Sequence, residues 1–149
     1  MNSRLLLLLL VATLGWVGHA RAQSATQITA NTPIVNFRLP TFTPDGHRSW
    51  LIRGSEAVVR EQNLIDVHEL ALTIFTGDAS DRIETMILSP VAQVAPNDQL
   101  ARGPQSIRLI NDALEATGTG WEYIYREKKV SLHRSVRVTI HSELKDLLK

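Results

Sequence analysis

Residues 54–61, Gly-Ser-Glu-Ala-Val-Val-Arg-Glu, return 66 positions later as Gly120-Trp-Glu-Tyr-Ile-Tyr-Arg-Glu, and at the same offset Thr73-Ile74 returns as Thr139-Ile140. Six of the 22 positions from Gly54 to Phe75 are identical in the two copies. Four more keep only their apolar character: Val58 with Ile124, Leu64 with Val130, Leu70 with Val136, and Leu72 with Val138. Each copy runs glycine, alternating stretch, charged turn, second alternating stretch. Alternation with period two places successive side chains on opposite faces of a strand. The repeat therefore predicts a strand–turn–strand unit used twice, within a stack of β-hairpins.

The rest of the chain follows the same pattern. Ile34 to Leu39 alternates up to Pro40, and Thr43-Pro44-Asp45-Gly46 is a turn, because proline presets φ and glycine accepts positive φ. Asp45-Gly46 between Phe42 and Trp50 is the strongest hairpin signal in the chain. Further strands are expected at Ser49–Arg60, with Gly54 as a bulge or kink, and at Leu64–Thr76. Ile83–Leu88 is expected to stop at Ser89-Pro90, and Val91–Val94 at Pro96-Asn97-Asp98. Gly103-Pro104 reads as a break, and Ser106–Glu115 as strand rather than helix. Trp121–Arg126, Val130–His133 and Val136–Ile140 complete the series. Only Ser142–Lys149 has helical spacing, with Ser142 as cap and Leu144, Leu147 and Leu148 on one face. Eight to eleven short strands with short connections predict an all-β sandwich, barrel or open roll, ended by a short helical turn.

The N-terminus has a different character. Arg4, the apolar run Leu5–Val17, and Ala20-Arg21-Ala22 before Gln23 have the three-part layout of a cleaved export signal. An apolar stretch of 13 residues spans only about 20 Å as a helix, short of a bilayer core of about 30 Å. The expected organisation is a signal peptide over 1–22, a flexible lead over 23–33, and one β domain over 34–149. Arg4 and Arg21 leave with the signal and no acid does, so 14 basic side chains face 15 acidic ones in the remainder. That balance lacks the basic surplus needed to neutralise a nucleic-acid backbone. With no cysteine, the domain relies on its own core, and thiol chemistry is excluded. The periplasm is the expected compartment.

Catalytic and metal-binding patterns are missing. His47, His68, His133 and His141 form no pair with ligand spacing, and Asp78 and Asp81 lie outside any calcium-loop pattern. Gly118-Thr-Gly120 lacks the lysine and helix of a phosphate loop, and no Gly-x-Ser-x-Gly occurs. Glu56 with Arg60 and Glu122 with Arg126 recur inside the repeat, which predicts cross-strand ion pairs at hairpin ends rather than catalytic carboxylates. Neither an enzymatic centre, a metal nor a cofactor is expected. What the sequence does offer is one extended apolar face: Trp50, Ile52, Leu70, Leu72, Ile74, Ile107, Leu109, Ile124, Val136, Val138 and Ile140. Two arrangements satisfy it, an ordinary packed core or an apolar cleft between two sheet halves that takes acyl chains.

Several segments resemble periplasmic lipopolysaccharide-export proteins of the LptC type. They are Phe37-Arg-Leu-Pro40, Trp50-Leu-Ile-Arg-Gly54-Ser-Glu-Ala57, Ser89-Pro90-Val-Ala92, Gly118-Thr-Gly120-Trp121 and Val130-Ser-Leu-His-Arg-Ser-Val136-Arg-Val138. The resemblance covers about Ile34 to Ile140, and it extends to the OstA-like domains of LptA and of the outer-membrane assembly protein. It implies an open, twisted β-jellyroll of stacked hairpins that catalyses nothing. Lipid A chains would ride in its apolar interior. Its edge strands, Ile34–Leu39 and Ser135–Ile140, would dock to partner jellyrolls, to the inner-membrane transporter, or end to end with further copies. LptC-type proteins usually retain an N-terminal membrane helix, so the cleavable signal is a departure that also fits an LptA-like bridge. An LptC-type chain would be associated with the inner membrane.

Two rival readings belong to other classes. A carbohydrate- or surface-binding β-sandwich would display Trp50, Trp121, Tyr123 and Tyr125 on a shallow platform. A small secreted hydrolase would need the motifs that are missing.

Overall fold

The computed structural model describes residues 31–60 and 63–141. Seven strands account for most of them: β1 (Pro33–Phe42), β2 (Arg48–Val59), β3 (Ile65–Phe75), β4 (Ile83–Ala95), β5 (Leu100–Ile110), β6 (Leu114–Ile124) and β7 (Lys129–Ile140). They form one open antiparallel sheet in sequence order, each strand bonded to the next. Local chemistry closes the hairpins. Gly46, at φ +85°, donates its N–H to the Thr43 carbonyl at 2.9 Å. The Asn111 side chain accepts from the N–H groups of Ala113 and Leu114 at 3.0 and 2.8 Å. The Asp78 carboxylate gathers Ser80 and Thr76, and those bonds hold its pKa down at about 2.

There are fewer strands than the sequence suggested, and they are longer. Ser89-Pro90 and Gly103-Pro104 bend β4 and β5 without ending them, and the register slips there instead. Val130–His133 and Val136–Ile140 are the two halves of β7, joined through Ser135 at φ +52°. Conversely, the Ser106–Glu115 stretch is divided by the turn at Asn111, and Gly118 and Gly120 lie inside β6. Gly54 carries no bulge, since the β2–β3 register is the same on both sides of it. It is required for space: a Cβ there would lie 2.4 Å from Val67 Cγ1 and 2.8 Å from the His68 carbonyl. Both repeats are hairpins, β2–β3 and β6–β7. The second closes through a 3-10 turn at Tyr125–Glu127, which slides its register by two to three residues relative to the first. The helix expected over 142–149, the signal over 1–22 and most of the lead lie outside the described residues.

A crease runs across every strand. In β3 the inward apolar row is Ile65 and Val67, then Leu70, Leu72 and Ile74, with Thr73 and Phe75 buried from the other face, so the inward phase flips around Glu69, at φ +50°. The flip falls between Ile52 and Ala57 in β2, between Ile87 and Ala92 in β4, and between Ala116 and Trp121 in β6. In β1 to β4 and in β6 a left-handed residue, proline or glycine turns the strand over while both halves keep their apolar sides inward, whereas β5 and β7 keep one phase and take up the crease as a register slip. One half carries Trp50 and the other Trp121. Trp50 in β2 and Tyr123 in β6 are four strands apart, about 19 Å in a flat sheet. Their ring centroids are 6.4 Å apart, and Tyr125 is 5.8 Å from Trp50. The sheet has therefore folded over, and its two halves face one another across a common interior. Inside, the Trp121 indole N–H donates to Ser89 Oγ at 3.1 Å, and that hydroxyl donates to the Ser106 carbonyl at 2.8 Å.

Candidate functional site: an apolar trough beside the last strand

The interior is sealed at one end and open at the other. Trp50, Ile52, Leu70, Leu72 and Ile74 are at most 2% exposed and interlock with Ile87, Val67 and Ala57. Toward β7 the halves part around a cavity of about 310 Å³, walled by Ile74, Leu109, Ala116 and Val138 on one side and by Tyr123, Val130 and Leu132 on the other. Past its mouth the inward side chains of β7 have no cover among the described residues: Val136, Val138 and Ile140 are 50%, 51% and 63% exposed. Burial pushes the Tyr123 phenol well above its ordinary pKa, so the cavity wall stays neutral. An ion pair between Lys128 and Glu84 at 2.9 Å flanks the mouth from opposite halves.

The extended apolar face thus divides into three groups. Its first six residues, Trp50 to Ile107, close the core, Leu109 walls the cavity, and Val136, Val138 and Ile140 form the exposed lip. Ile124 stands apart. Its neighbours Trp121, Tyr123 and Tyr125 point inward, so Ile124 lies on the opposite face, between Leu100 and Lys129. Sequence reasoning missed Ala116, Tyr123 and Leu132 because it carried a single alternation phase through Gly118-Thr-Gly120. The glycines themselves were the available signal that the phase changes.

Among the described residues β7 pairs only with β6. The His141 N–H donates to the Ala113 carbonyl at 2.8 Å. Antiparallel bonding alternates along the strand, so the N–H groups of Ile140, Val138 and Val136 point away from β6 to the open side. β7 contains no proline. β1 contains two, Pro33 and Pro40, each lacking a donor, and its ladder is broken at Asn36, at φ +54°.

Other expectations resolve differently. Trp50, Trp121 and Tyr123 are buried, which removes the aromatic platform that a sugar-binding sandwich needs. Arg60 bonds Asp66 at 2.8 Å and Arg126 bonds Gln99, so the repeated arginines do not take Glu56 and Glu122 as partners. Among the described residues no group of three His, Asp or Glu side chains is placed to hold a metal ion. No helix among them is long and apolar enough to cross a membrane.

Compared with known protein families, residues 19–141 match the model described as lipopolysaccharide-assembly, LptC-related. A comparison with curated proteins finds no match. The family match spans the whole folded sheet, trough and free edge included, and the chain belongs to the LptC-related family of lipopolysaccharide-assembly proteins.

Proposed function

We propose that this chain is a non-enzymatic carrier within lipopolysaccharide transport, taking lipid A acyl chains at the β7 end of its trough. The reading rests on one observation above all. Inside a chain of this family, the two halves of the sheet part over an apolar cavity that continues onto the bare lip of Val136, Val138 and Ile140. Exposing acyl chains to water costs about 0.8 kcal/mol per methylene, so a continuous apolar path removes a large barrier to carrying them. A cavity of this size takes the end of a chain, and the lip guides the rest onward. The partner is a second β-jellyroll of the transport assembly, whose strand pairs with the outward N–H groups of β7 and whose inner face prolongs the lip. The signal-peptide pattern and the family role together favour the periplasm.

A photo-crosslinker tests this in cells. Placed at Val138, it is expected to capture lipopolysaccharide; at Leu72, sealed in the core, it is expected to capture none. Absence of lipopolysaccharide from the Val138 adduct would refute the cargo reading.

A further inference from the structure

The outer face of the sheet holds a pattern unrelated to the trough. Following the register across all seven strands at the Trp50 half gives a single row: Arg38, Arg53, Ala71, Leu88, Arg108, Thr117, Arg137. Four of the seven are arginine and none is acidic. Arg38 and Arg53 sit directly opposite one another, an arrangement that destabilises a sheet. Beyond the crease the matching row reads Pro33, Val58, Asp66, Gln93, Arg102, Glu122, Ser131. There both signs occur, two acids and one arginine, and a ladder ties Asp66 to Gln93 at 3.2 Å and Gln93 to Arg102 at 2.8 Å. One face of one sheet therefore carries a row of mixed charge and a row whose only charges are positive.

The positive row has two companions. Ala71, Leu88, Arg108 and Thr117 form one wall of an outer crease of about 770 Å³. The next row outward sets half-buried Leu51, Met86 and Ile110 on the same face. The acids closest to the row are Glu115, which bonds Arg108 at 2.7 Å, and Glu69 on the crease; Arg134 adds a further cation beside it. Arg38, Arg53 and Arg137 make no ion pair within the described residues. Cations interleaved with apolar side chains match the interface of an anionic bilayer, where headgroup phosphates meet the first methylenes.

We propose that this outer face docks on an anionic phospholipid bilayer, with a headgroup seated in the crease beside Arg108. The trough then stays clear, because its lip opens on the inner side of the sheet. The proposal is independent of the cargo reading, and its test contains no lipopolysaccharide in the deciding arm.

All seven strands and the whole buried cluster lie within Pro33–Ile140, so the chain from Gln23 onward carries the complete sheet. Flotation with vesicles containing phosphatidylglycerol, against vesicles of phosphatidylcholine alone, reads the interaction directly. Binding is expected only to the anionic vesicles and is expected to fade with added salt. The triple variant R38Q/R53Q/R137Q is expected to lose about a hundredfold in partitioning, given a contribution of about fivefold per arginine at an anionic surface. A charge-matched control, R82Q/R126Q/K129Q, removes exposed cations elsewhere and is expected to lose far less. Far-UV circular dichroism melts establish that both variants fold. Equal losses in the two triples, or equal binding to both vesicle types, would overturn the proposal. Binding to neutral vesicles doped with lipopolysaccharide, without binding to phosphatidylglycerol, would also overturn it and assign the row to the cargo's phosphates.

Discussion

The two edge strands of this sheet are built in opposite ways. β1 turns Phe37 into the core at 8% exposure, with Ile34 and Leu39 packed beside it, and closes its end of the interior. β7 offers the same kind of inward row, Val136, Val138 and Ile140, to nothing among the described residues. β1 carries two prolines and a left-handed asparagine on its open side. β7 carries a run of free donors and one kink. An open sheet must protect its edges against indiscriminate pairing, and here one edge is blunted while the other is left ready. The contrast makes the molecule directional: a sealed end, an open end, and a trough that reaches only the latter.

The largest test of that contrast is energetic. Trp50→Ala removes the side chain that joins the two halves at the sealed end and is expected to cost about 3–5 kcal/mol in urea melts. An equal loss from Val138→Ala would erase the distinction between the two ends. Next comes the free edge. Val138→Pro deletes a donor that faces away from β6, so binding to a partner jellyroll is expected to fall at least tenfold, while the melting temperature moves little. Thr139→Pro deletes a donor that faces β6 and is expected to destabilise the hairpin itself. Retained partner binding by the Val138→Pro protein would remove β7 from the docking interface.

Acid offers a third probe. Hydrogen bonds from Ser80 and Thr76 hold Asp78 at about 2, and those from Arg60 and Arg108 lower Asp66 and Glu115. A carboxyl depressed on folding contributes stability that is complete above its unfolded pKa and is lost as pH falls through its folded one. Melting temperatures are therefore expected to decline between about pH 4 and pH 2, and Asp78→Asn is expected to flatten part of that decline. An unchanged slope would mean that the Asp78 turn is not formed in solution. The smallest effect belongs to the lip: Val138→Ala is expected to change stability by no more than about 0.5 kcal/mol.

Much of this was legible in the residues because it is local. Asp45-Gly46 announced its turn, and the alternation around Trp50, Leu72 and Leu109 announced strands with one buried face. The hairpin repeat survived as two real hairpins. The crease was not legible as such. Ser89-Pro90 and Gly103-Pro104 look like stops, since a proline ends a central strand in a flat sheet, yet in a folded-over sheet they are the bends. That difference hid the correct strand count, and the phase change at Gly118-Thr-Gly120 hid the facing of Ile124. The division of the apolar face into core and lip was equally hidden. Leu72 and Val138 are equivalent in the repeat, and only the absence, among the described residues, of an eighth strand beside β7 separates them. The arginine row could not be seen in one dimension either, because it exists only once the register is known.

The account stands on the trough being open at β7 and closed at β1. Methyl-labelled protein titrated with lipopolysaccharide tests this in one spectrum. Resonances of Val138, Ile140, Leu109 and Leu132 are expected to shift, while those of Ile34, Leu39 and Ile52 stay in place. Shifts confined to the β1 side, or none at the β7 lip, would contradict it.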